Sequence, residues 1–379
     1  MIEVKNKSNF PKVSSIPPET NFPFLDYQPD WKRMEEFAKK YSFAKKIILV
    51  GNGGSINTFR GIYKAFSDGH TPQVIFVDSN DPEFLEEVRG GIDPAKTLLL
   101  SISKSGENVQ QLESTLFFYN LAHKIFVTSK KGVLWEIARA DGSIDVIEHP
   151  EISGRFSGLT EVGLLPSLLC GFNARKIAVQ NSLNQAAWQM ASELWELEND
   201  GKTEVLLSGY AYKLNGFNLL IQQLMHETLA KEGKGLTIIP VESPESQHHT
   251  SQRLFGGRKN IAAVFVKSKS KTSTLSVPEK FFSIRFKDKT LADFNSVDLA
   301  RSFEAEYHGA KSRADELFIP NVTLEINEVS PESVGEYIRF WQLVAAYSAG
   351  LRNLNPFDQP DVEASKIISF KHRFTKTDG

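Results

Sequence analysis

Two turns in the first third of the chain combine glycines, hydroxyl groups and one lysine in the way that phosphate-binding loops do. They are GNGGS at 51–55 and SISKSGEN at 101–108. Backbone amides at a helix N-terminus, together with hydroxyl and ammonium donors, can satisfy the three oxygens of a phosphate monoester. A ligand-free tight turn and a serine-rich helix cap are the alternatives, and two such turns together favour phosphate. The candidate phosphate-binding residues are Gly53, Gly54, Ser55, Ser103, Lys104, Ser105 and Asn108.

A predicted helix further along the chain carries Gln223, Glu227 and Lys231 at four-residue spacing. Residues at this spacing line one face of a helix. The alternative is an ordinary surface pair of Glu227 and Lys231. Arg155 stands in a segment with few other charges, as either a surface cation or a guanidinium directed at a ligand anion.

His248 and His249 are adjacent in a polar loop. Histidines in such a place are solvated, bind a metal or transfer protons. No third ligand stands at metal spacing, so we predict no structural zinc site. The single cysteine, Cys170, excludes an internal disulfide and a cysteine-based zinc cluster, and it indicates a reducing cytoplasm.

An open α/β sheet is predicted to position the two turns. The run 47–50 is branched and apolar without alternation, which is typical of a strand covered on both faces. The apolar spacing over 56–66 then predicts an amphipathic helix. Strands and helices alternate in this way to about residue 173, and a second α/β region follows. Because ligands of such sheets bind beyond the carboxyl ends of the strands, we expect both turns at the binding edge.

The same reasoning predicts the remaining elements from apolar period, caps and breakers. The predicted strands are 47–50, 73–77, 97–102, 124–128, 203–208, 236–241, 260–267, 281–286 and 321–326. The predicted helices begin after Asp30, cover 82–88, 110–121, 162–169, 183–197, 212–231, 296–314 and 331–350, and end with one that Pro360 opens.

The composition excludes several classes of protein. Apolar residues make up 41% and charged residues 24% of the chain, as in ordinary globular proteins, and the formal net charge of −2 offers no field for general nucleic-acid binding. The start contains no apolar signal core, and Pro166 and Ser167 interrupt the longest apolar stretch, 162–172. We therefore expect a cytoplasmic protein without a membrane span.

A dinucleotide site is disfavoured, although Asp78 ends the second predicted strand where a ribose-binding acid would stand. Gly51 and Gly53 fit the dinucleotide fingerprint, but Ile56 occupies the position of its third glycine. A branched side chain there obstructs close packing of helix and strand.

Five stretches taken together resemble the glucose-6-phosphate isomerase family, which is built from two sugar-isomerase (SIS) domains. They lie in consistent order between about residues 45 and 370, and the last is the most specific. In addition, Gln252 follows His248 by four residues, as in the histidine segment of that family. The stretches are GNGGS at 51–55, SKSG at 103–106, SGRFSGLTEVGLLP at 153–166, Gln223-x-x-x-Glu227 with Lys231, and FDQPDVEASK at 357–366.

The resemblance implies an α/β fold with two SIS-type three-layer α/β/α domains and mainly parallel sheets. A chain of 379 residues also exceeds what one core usually supports. We expect an N-terminal arm and short helix at 1–44, the two domains at 45–178 and 179–330, and a C-terminal helical segment at 331–379. Five prolines among the first 29 residues predict that the arm is extended over a domain surface.

The resemblance also implies interconversion of glucose 6-phosphate and fructose 6-phosphate through a cis-enediol, a step of glycolysis and gluconeogenesis. Glu227 would move a proton between C1 and C2, and Arg155 would hold the enediolate charge. His248 and Lys366 would open the sugar ring, and no metal or organic cofactor is required. The substrate would also contact the seven turn residues named above, Gln223 and Gln359.

The chain departs from the family at several positions. Glu107-Asn108-Val109 stands where the family usually has threonines, which places a carboxylate near a phosphate dianion. Ser153, Asp361 and Ser365 replace glycines.

Other functions stay open on sequence alone. A related isomerase would act on mannose 6-phosphate or an amino sugar phosphate, and a non-catalytic regulator would only bind the sugar phosphate. The presence of all four implied catalytic residues favours an enzyme. The resemblance further implies a homodimer in which His248 reaches the neighbouring site, with the proline-rich arm and the long C-terminal helix suited to intersubunit contact.

Overall fold

Two five-stranded sheets with helices around them form the architecture of the computed structural model, which describes residues 2–13, 15–179 and 183–375. Its strands are β1 (Ile2–Ser8), β2 (Lys46–Val50), β3 (Gln73–Val77), β4 (Thr97–Ile102), β5 (His123–Thr128), β6 (Asp145–Glu148), β7 (Glu204–Tyr210), β8 (Thr237–Glu242), β9 (Ile261–Ser268), β10 (Arg285–Phe286), β11 (Lys289–Thr290) and β12 (Asn321–Ile326). Its α-helices are α1 (Trp31–Lys40), α2 (Asn57–Phe66), α3 (Pro82–Gly90), α4 (Val109–Phe117), α5 (Val133–Asp141), α6 (Glu161–Leu169), α7 (Ala174–Ala178), α8 (Asn184–Asn199), α9 (Asn218–Leu229), α10 (Thr250–Gly256), α11 (Leu299–Glu316), α12 (Pro331–Leu351) and α13 (Glu363–Phe374).

The first sheet is entirely parallel, in the order β3-β2-β4-β5-β6. Its strands read as continuous apolar runs because helices cover both faces. In β2, Ile47 and Leu49 join a core cluster with apolar residues of α1, α2 and α6, whereas Ile48 and Val50 join a cluster with residues of α3. Successive residues of a strand thus bury opposite faces, as the two-residue period requires.

The second sheet has the order β1-β12-β9-β7-β8 and is parallel except for its edge strand β1, which runs antiparallel to β12. One face packs on α10 and α11, where Tyr307 and Leu254 are buried. Residues of the other face, such as Val205 and Leu207, belong to the same large cluster as Ile47 and Leu49 of the first sheet. One hydrophobic core therefore lies between the two sheets.

The long helix α12 forms the centre of that core. It begins with Ser330 as N-cap and Pro331 at the first helical position, and the side chain of Ser330 accepts a hydrogen bond from the backbone N–H of Ser333. Every residue from Ser333 to Ala349 is buried. A helix that is buried all round belongs inside a core, and α12 packs against α7, α8 and α9.

These observations confirm the predicted fold class, α/β with mainly parallel sheets. The predicted strands 73–77, 97–102 and 321–326 have the observed bounds, and most others differ by one or two residues. The first sheet lies entirely within the range 45–178. The second sheet lies within 179–330, except for its edge strand β1. The division into domains at 45–178 and 179–330 stays a proposal, and residues 376–379 of the C-terminal segment lie outside the described residues.

Two predictions about single elements are wrong, and some elements were not predicted. The segment 281–286 is not a strand of a main sheet: it contains a 3-10 turn and the two-residue strand β10, which pairs only with β11 in an exposed hairpin. The helix expected over 212–231 extends only over α9, because a 3-10 turn at Asn215–Phe217 precedes it and Ala230 ends it. The segments β6 and α5 were not predicted.

The N-terminal arm and the C-terminal helix are engaged within the chain. The arm supplies β1 to the edge of the second sheet, where Ile2 pairs with Ile326, and α12 is enclosed by the core. Burial within its own chain leaves α12 little surface for contact with another subunit. For the proline-rich arm, whose strand β1 forms the edge of the second sheet, intersubunit contact stays a prediction.

No helix within the described ranges has both the length and the apolar character that crossing a lipid bilayer requires.

Candidate active site

The two phosphate-type turns meet at the point where the strand order of the first sheet reverses. The chain passes from β2 outward to β3 and then returns to β4 on the other side of β2. In open α/β sheets ligands bind at such a switch point, beyond the carboxyl ends of the strands. GNGGS follows β2 and SKSGEN follows β4, and the side-chain amides of Asn52 and Gln110 lie 2.8 Å apart between them.

The GNGGS turn requires its glycines because two other segments approach its backbone closely. Gly53 has a φ of +52°, and a Cβ there would lie 2.6 Å from Nε2 of Gln223. A Cβ on Gly54 would lie 2.1 Å from the carbonyl carbon of Gly154. The turn, with Ser55 half-buried at its end, therefore lies directly against α9 and the segment that carries Arg155.

In the second turn, Ser103 and Lys104 have different environments. Ser103 is buried at 3% exposure, and its backbone N–H donates to the carbonyl of Val127. Lys104 is half-buried, and its Nζ lies 3.1 Å from Oε2 of Glu151. An anion bound at this turn would compete with the Glu151 carboxylate for the ammonium group.

The remaining polar residues of this turn organise the start of α4. The Oδ1 atom of Asn108 accepts a hydrogen bond from the backbone N–H of Gln111 at 3.0 Å, which makes Asn108 the N-cap. The Oγ atom of Ser105 accepts from the N–H of Glu107, and both of these side chains are exposed. The predicted cap is thus present beside the predicted phosphate donors.

Arg155 is a buried, fully hydrogen-bonded cation and not a surface residue. Its side chain is 0% exposed. Its Nε donates to Oγ1 of Thr228 at 3.0 Å, and its Nη1 donates to Oε2 of Glu227 at 3.0 Å and to Oε1 of Gln359. Its Nη2 donates to two backbone carbonyls, those of Pro356 at 2.6 Å and Asp358 at 2.8 Å. All five N–H groups of the guanidinium have partners, so its position is fixed.

Burial lowers the pKa of Arg155, and the carboxylates of Glu227 and Asp358 oppose this effect. A guanidinium retains its charge at neutral pH in proteins. The site therefore contains a permanent positive charge at a fixed place, which is suited to stabilising an oxyanion.

Glu227 is the accessible member of this ion pair, with 32% of its side chain exposed. Its Oε1 accepts a hydrogen bond from Nε2 of Gln223 at 2.9 Å, and Oε1 of Gln223 in turn accepts from Nδ2 of Asn57 at 2.9 Å. Both carboxylate oxygens are thus held in defined directions while part of the group stays in contact with solvent. Such a carboxylate can exchange a proton with a bound molecule.

The structure brings together Gly53, Gly54, Arg155, Gln223, Glu227 and Gln359, which come from four separate stretches of the sequence. The alternative considered for this helix, a surface pair of Glu227 and Lys231, is not formed. Because α9 ends at Leu229, Lys231 lies beyond the helix and donates to Asp358 instead.

His248 and Lys366 lie apart from this cluster. His248 ends the 3-10 turn that follows β8 and is exposed. Lys366 lies on the exposed helix α13 and donates to Glu363 at 2.6 Å. Within the described residues, no hydrogen bond or ion pair joins either side chain to Arg155 or Glu227. Their assignment to the site stays a prediction.

Residues of the N-terminal arm reach the site, which the sequence did not predict. The ring of Phe24 stacks on that of Phe156 with centroids 4.9 Å apart, and Phe156 contacts Phe357 edge to face at 5.4 Å. The arm is fastened by Tyr27, whose hydroxyl donates to the buried carboxylate of Glu161 at 2.8 Å. The residues next to Arg155 and Gln359 are therefore supported from the arm.

Thr228, Asn57 and Asp358 were not predicted to take part in the site, although Thr228 and Asp358 lie within stretches that were singled out and Asn57 lies two residues after one. Their roles depend on contacts between distant segments, which spacing alone does not reveal. Among the residues that the structure describes, no group of three or more His, Cys, Asp or Glu side chains is arranged to hold a metal ion.

Solved structures of other proteins share this fold. The chain has a TM-score of 0.54 with the tagatose-6-phosphate ketose/aldose isomerase of Escherichia coli, at 13% identity, covering 86% of this chain and 88% of that one. It has a TM-score of 0.81 with a hypothetical protein of Thermus thermophilus, at 22% identity, covering 90% of this chain and 87% of that one. The fold is that of the SIS-type phosphosugar isomerases.

More extensive similarity is to glucose-6-phosphate isomerases. The probable glucose-6-phosphate isomerase of Methanococcus maripaludis is 27% identical over 377 residues, covering 92% of this chain and 83% of the relative. The glucose-6-phosphate isomerase of Clostridium perfringens is 26% identical over 387 residues, covering 91% and 84%. The structure of that enzyme from Chlamydia trachomatis has a TM-score of 0.74 at 19% identity, covering 90% and 72%. No family model matches the chain. The resemblance predicted from the motifs is confirmed over nine tenths of the chain.

Proposed function

We propose that the protein interconverts glucose 6-phosphate and fructose 6-phosphate through a cis-enediol, as an enzyme of glycolysis and gluconeogenesis. The observation that carries this proposal is the contact of Glu227 with Arg155 and Gln223, next to the phosphate-type turn at Gly53. This arrangement places a partly exposed carboxylate, a fixed cation and phosphate donors around one switch point. The similarity to glucose-6-phosphate isomerases over most of the chain supports it further.

Glu227 is the proposed base that removes the proton from C2 of the open-chain aldose and returns it to C1. C1 and C2 of the planar cis-enediol present one common face. A single carboxylate over that face can therefore reach both carbons. The hydrogen bonds from Arg155 and Gln223 restrict the carboxylate to one orientation, which favours a geometry ready for proton transfer.

Arg155 is the proposed stabiliser of the charge that develops on the C1 and C2 oxygens. Its five N–H groups are held by protein acceptors, so its charge acts on these oxygens from a fixed position, and a substrate oxygen bonds to the guanidinium directly only by replacing one acceptor. Its exchangeable partners are the side chains of Gln359 and Glu227, since the other three acceptors belong to Thr228 and the backbone.

The phosphate is proposed to bind at the two turns, through Ser55, Ser103, Lys104 and Ser105 and the helix N-termini behind them. The half-buried Lys104 would exchange its pairing with Glu151 for the phosphate dianion. Asn108 is proposed to donate to the phosphate through its side-chain Nδ2, because the cap of α4 uses only its Oδ1 atom.

Ring opening is assigned to His248 and Lys366 on the family resemblance. We further propose that the chain forms a homodimer in which His248 completes the neighbour's site, and that it is located in the cytoplasm. The exposure of His248 is compatible with this arrangement.

The deciding experiment is a coupled assay of the purified chain with fructose 6-phosphate, with glucose 6-phosphate and mannose 6-phosphate measured separately. Formation of glucose 6-phosphate as the main product supports the proposal. Mannose 6-phosphate as the main product assigns a related isomerase, and binding of fructose 6-phosphate without turnover assigns a regulator.

A further inference from the structure

The segment 355–359, called the acceptor loop below, supplies three oxygen atoms to Arg155. They are the carbonyl oxygens of Pro356 and Asp358 and the side-chain oxygen of Gln359. The loop lies between α12 and the 3-10 turn Pro360–Val362 and belongs to no helix or strand. Its shape therefore depends on side-chain contacts, and the position of Arg155 depends on its shape.

Lys231 is one of two residues whose side chains hold this loop. The other is Asn355, whose Nδ2 donates to Oδ2 of Asp358 at 3.2 Å and whose Oδ1 accepts from the backbone N–H of Phe357 at 3.0 Å. The Nζ atom of Lys231 donates to the carbonyl oxygen of Asn355 and to Oδ1 of Asp358, both at 2.5 Å. Lys231 is 8% exposed, whereas the side chain of Asp358 is 51% exposed. The lysine lowers the pKa of Asp358, chiefly through its hydrogen bond. One ammonium group thus ties the first residue of the loop to its fourth.

The segment from Glu227 to Lys231 contacts Arg155 directly through Glu227 and indirectly, through the acceptor loop, by Lys231. Helix α9 presents Glu227 to Nη1 of the guanidinium, and Lys231 follows two residues after the end of that helix. The backbone N–H of Lys231 donates to the carbonyl of Leu229 in the tight turn that joins them. A rigid connection therefore links the proposed base to the loop that orients the proposed oxyanion stabiliser.

We infer that Lys231 is a positioning residue of the reaction, acting through the acceptor loop on the orientation of Arg155 and Gln359. The inference rests on the proposed function of this site. Lys231 contacts neither the phosphate-type turns nor Glu227 among the described contacts, so its removal acts on the charge of the enediolate and not on the phosphate. A residue needed only for the fold would affect all ligands and steps alike.

The test is Lys231→Met, which keeps the stem of the side chain and removes the ammonium group. We expect kcat to fall roughly 10- to 100-fold with KM within about threefold of wild type, since an interaction specific to the transition state is weakened. Binding of arabinonate 5-phosphate, whose planar carboxylate resembles the enediolate, should weaken roughly 10- to 100-fold. Binding of glucitol 6-phosphate, which has the phosphate but no planar group, should change less than about threefold.

The matched control is Lys234→Met, because Lys234 lies in the same turn and donates to Glu232 and to the carbonyl of Arg352, which precedes the acceptor loop, but not to the loop itself. Its kinetics and both affinities should match wild type. Asp358→Asn is a second variant, which is used if Lys231→Met does not fold. Because the side chain of Asp358 is exposed, we expect this variant to fold. It should lower kcat by at least about threefold, and the double variant should show less than the product of the two single effects.

Two results overturn the inference: a kcat within about threefold of wild type in both folded variants, or equal losses of affinity for the two ligands. If the wild-type chain binds neither ligand and isomerises no sugar phosphate, the proposed function itself is wrong and the inference falls with it. An active wild type with unaffected variants overturns the inference alone.

Discussion

The Nη1 atom of Arg155 lies 3.0 Å from Oε2 of Glu227 and forms an ion pair in which the cation is fully buried and the carboxylate is one-third exposed. This asymmetry separates two functions within one pair. The buried partner is held by four further hydrogen bonds and provides a fixed charge, whereas the exposed partner is free to meet a substrate. The accessibility of Glu227, together with the family resemblance, supports the proposal that this residue is the base.

Glu227→Gln keeps the size of the side chain and its contact with Gln223 but removes the proton acceptor. Turnover should fall by roughly two to four orders of magnitude, with a modest change in KM. Steady-state kinetics with fructose 6-phosphate measures both, and Glu232→Gln at an exposed carboxylate five residues away is the control. A Glu227→Gln chain that retains most of its turnover would remove this residue from the mechanism.

Ser103→Ala and Ser105→Ala each remove a proposed donor to the phosphate oxygens. Affinity for both the substrate and 6-phosphogluconate should fall, by a factor of about 2 to 13 for a donor worth about 0.5–1.5 kcal/mol. Unchanged inhibitor affinity in both variants would place the phosphate elsewhere.

The strands of the first sheet were predictable because their apolar runs are local. The segment 97–102, for example, is a largely apolar run between a lysine and a serine-rich turn, and every residue in it is buried. In contrast, the strand β1 pairs with residues more than 300 positions away, at 321–326, and its sequence IEVKNKS is mostly polar. No local pattern specifies that pairing.

In the candidate site, too, residues could be predicted from local motifs, whereas contacts between distant segments could not. Arg155 and Glu227 could be singled out by residue type and motif, and the structure brings them into contact. The acceptors of Arg155 could not be assigned, because two of them are backbone carbonyls of Pro356 and Asp358, whose side chains give no indication of this role. The contact of Phe24 with Phe156 likewise depends on the path of the arm.

His149 makes the stability of the fold depend on pH. The side chain is 1% exposed, and its Nδ1 pairs with the carbonyl of Pro150 at 2.8 Å while Nε2 has no partner among the described residues. Burial lowers its pKa from 6.5 to about 4, so the unfolded chain takes up a proton at a higher pH than the folded chain. The contribution of the neutral, buried His149 to the free energy of unfolding is therefore complete above about pH 6.5 and is lost as the pH falls towards 4.

The expected loss from His149 is about 3 kcal/mol between pH 7 and pH 4, from 1.36 kcal/mol per pKa unit. His149→Gln removes the titrating group, so its free energy of unfolding should fall less over the same range. Urea denaturation of both proteins at pH 7, 6, 5 and 4 measures the difference. Parallel curves for the two proteins would contradict the assignment.

The proposed homodimer predicts that two inactive variants restore activity when their subunits mix. His248 is exposed and, within the described residues, makes no hydrogen bond to Arg155 or Glu227, so a site that needs it requires either a movement of its own loop or a second chain. If the neighbouring subunit supplies His248, each mixed dimer of the His248→Ala and Glu227→Gln chains contains one intact site. Half of the dimers are mixed and each has one working site of two, so up to about a quarter of wild-type activity should return.

The control is a mixture of Glu227→Gln and Arg155→Met chains. These two residues are in contact within one chain, so no intact site can form. Activity is measured after dissociation and reassociation, and sedimentation shows whether subunits pair. A monomeric protein at working concentration, or no recovery in mixed dimers whose exchange is demonstrated, would assign His248 to the site of its own chain.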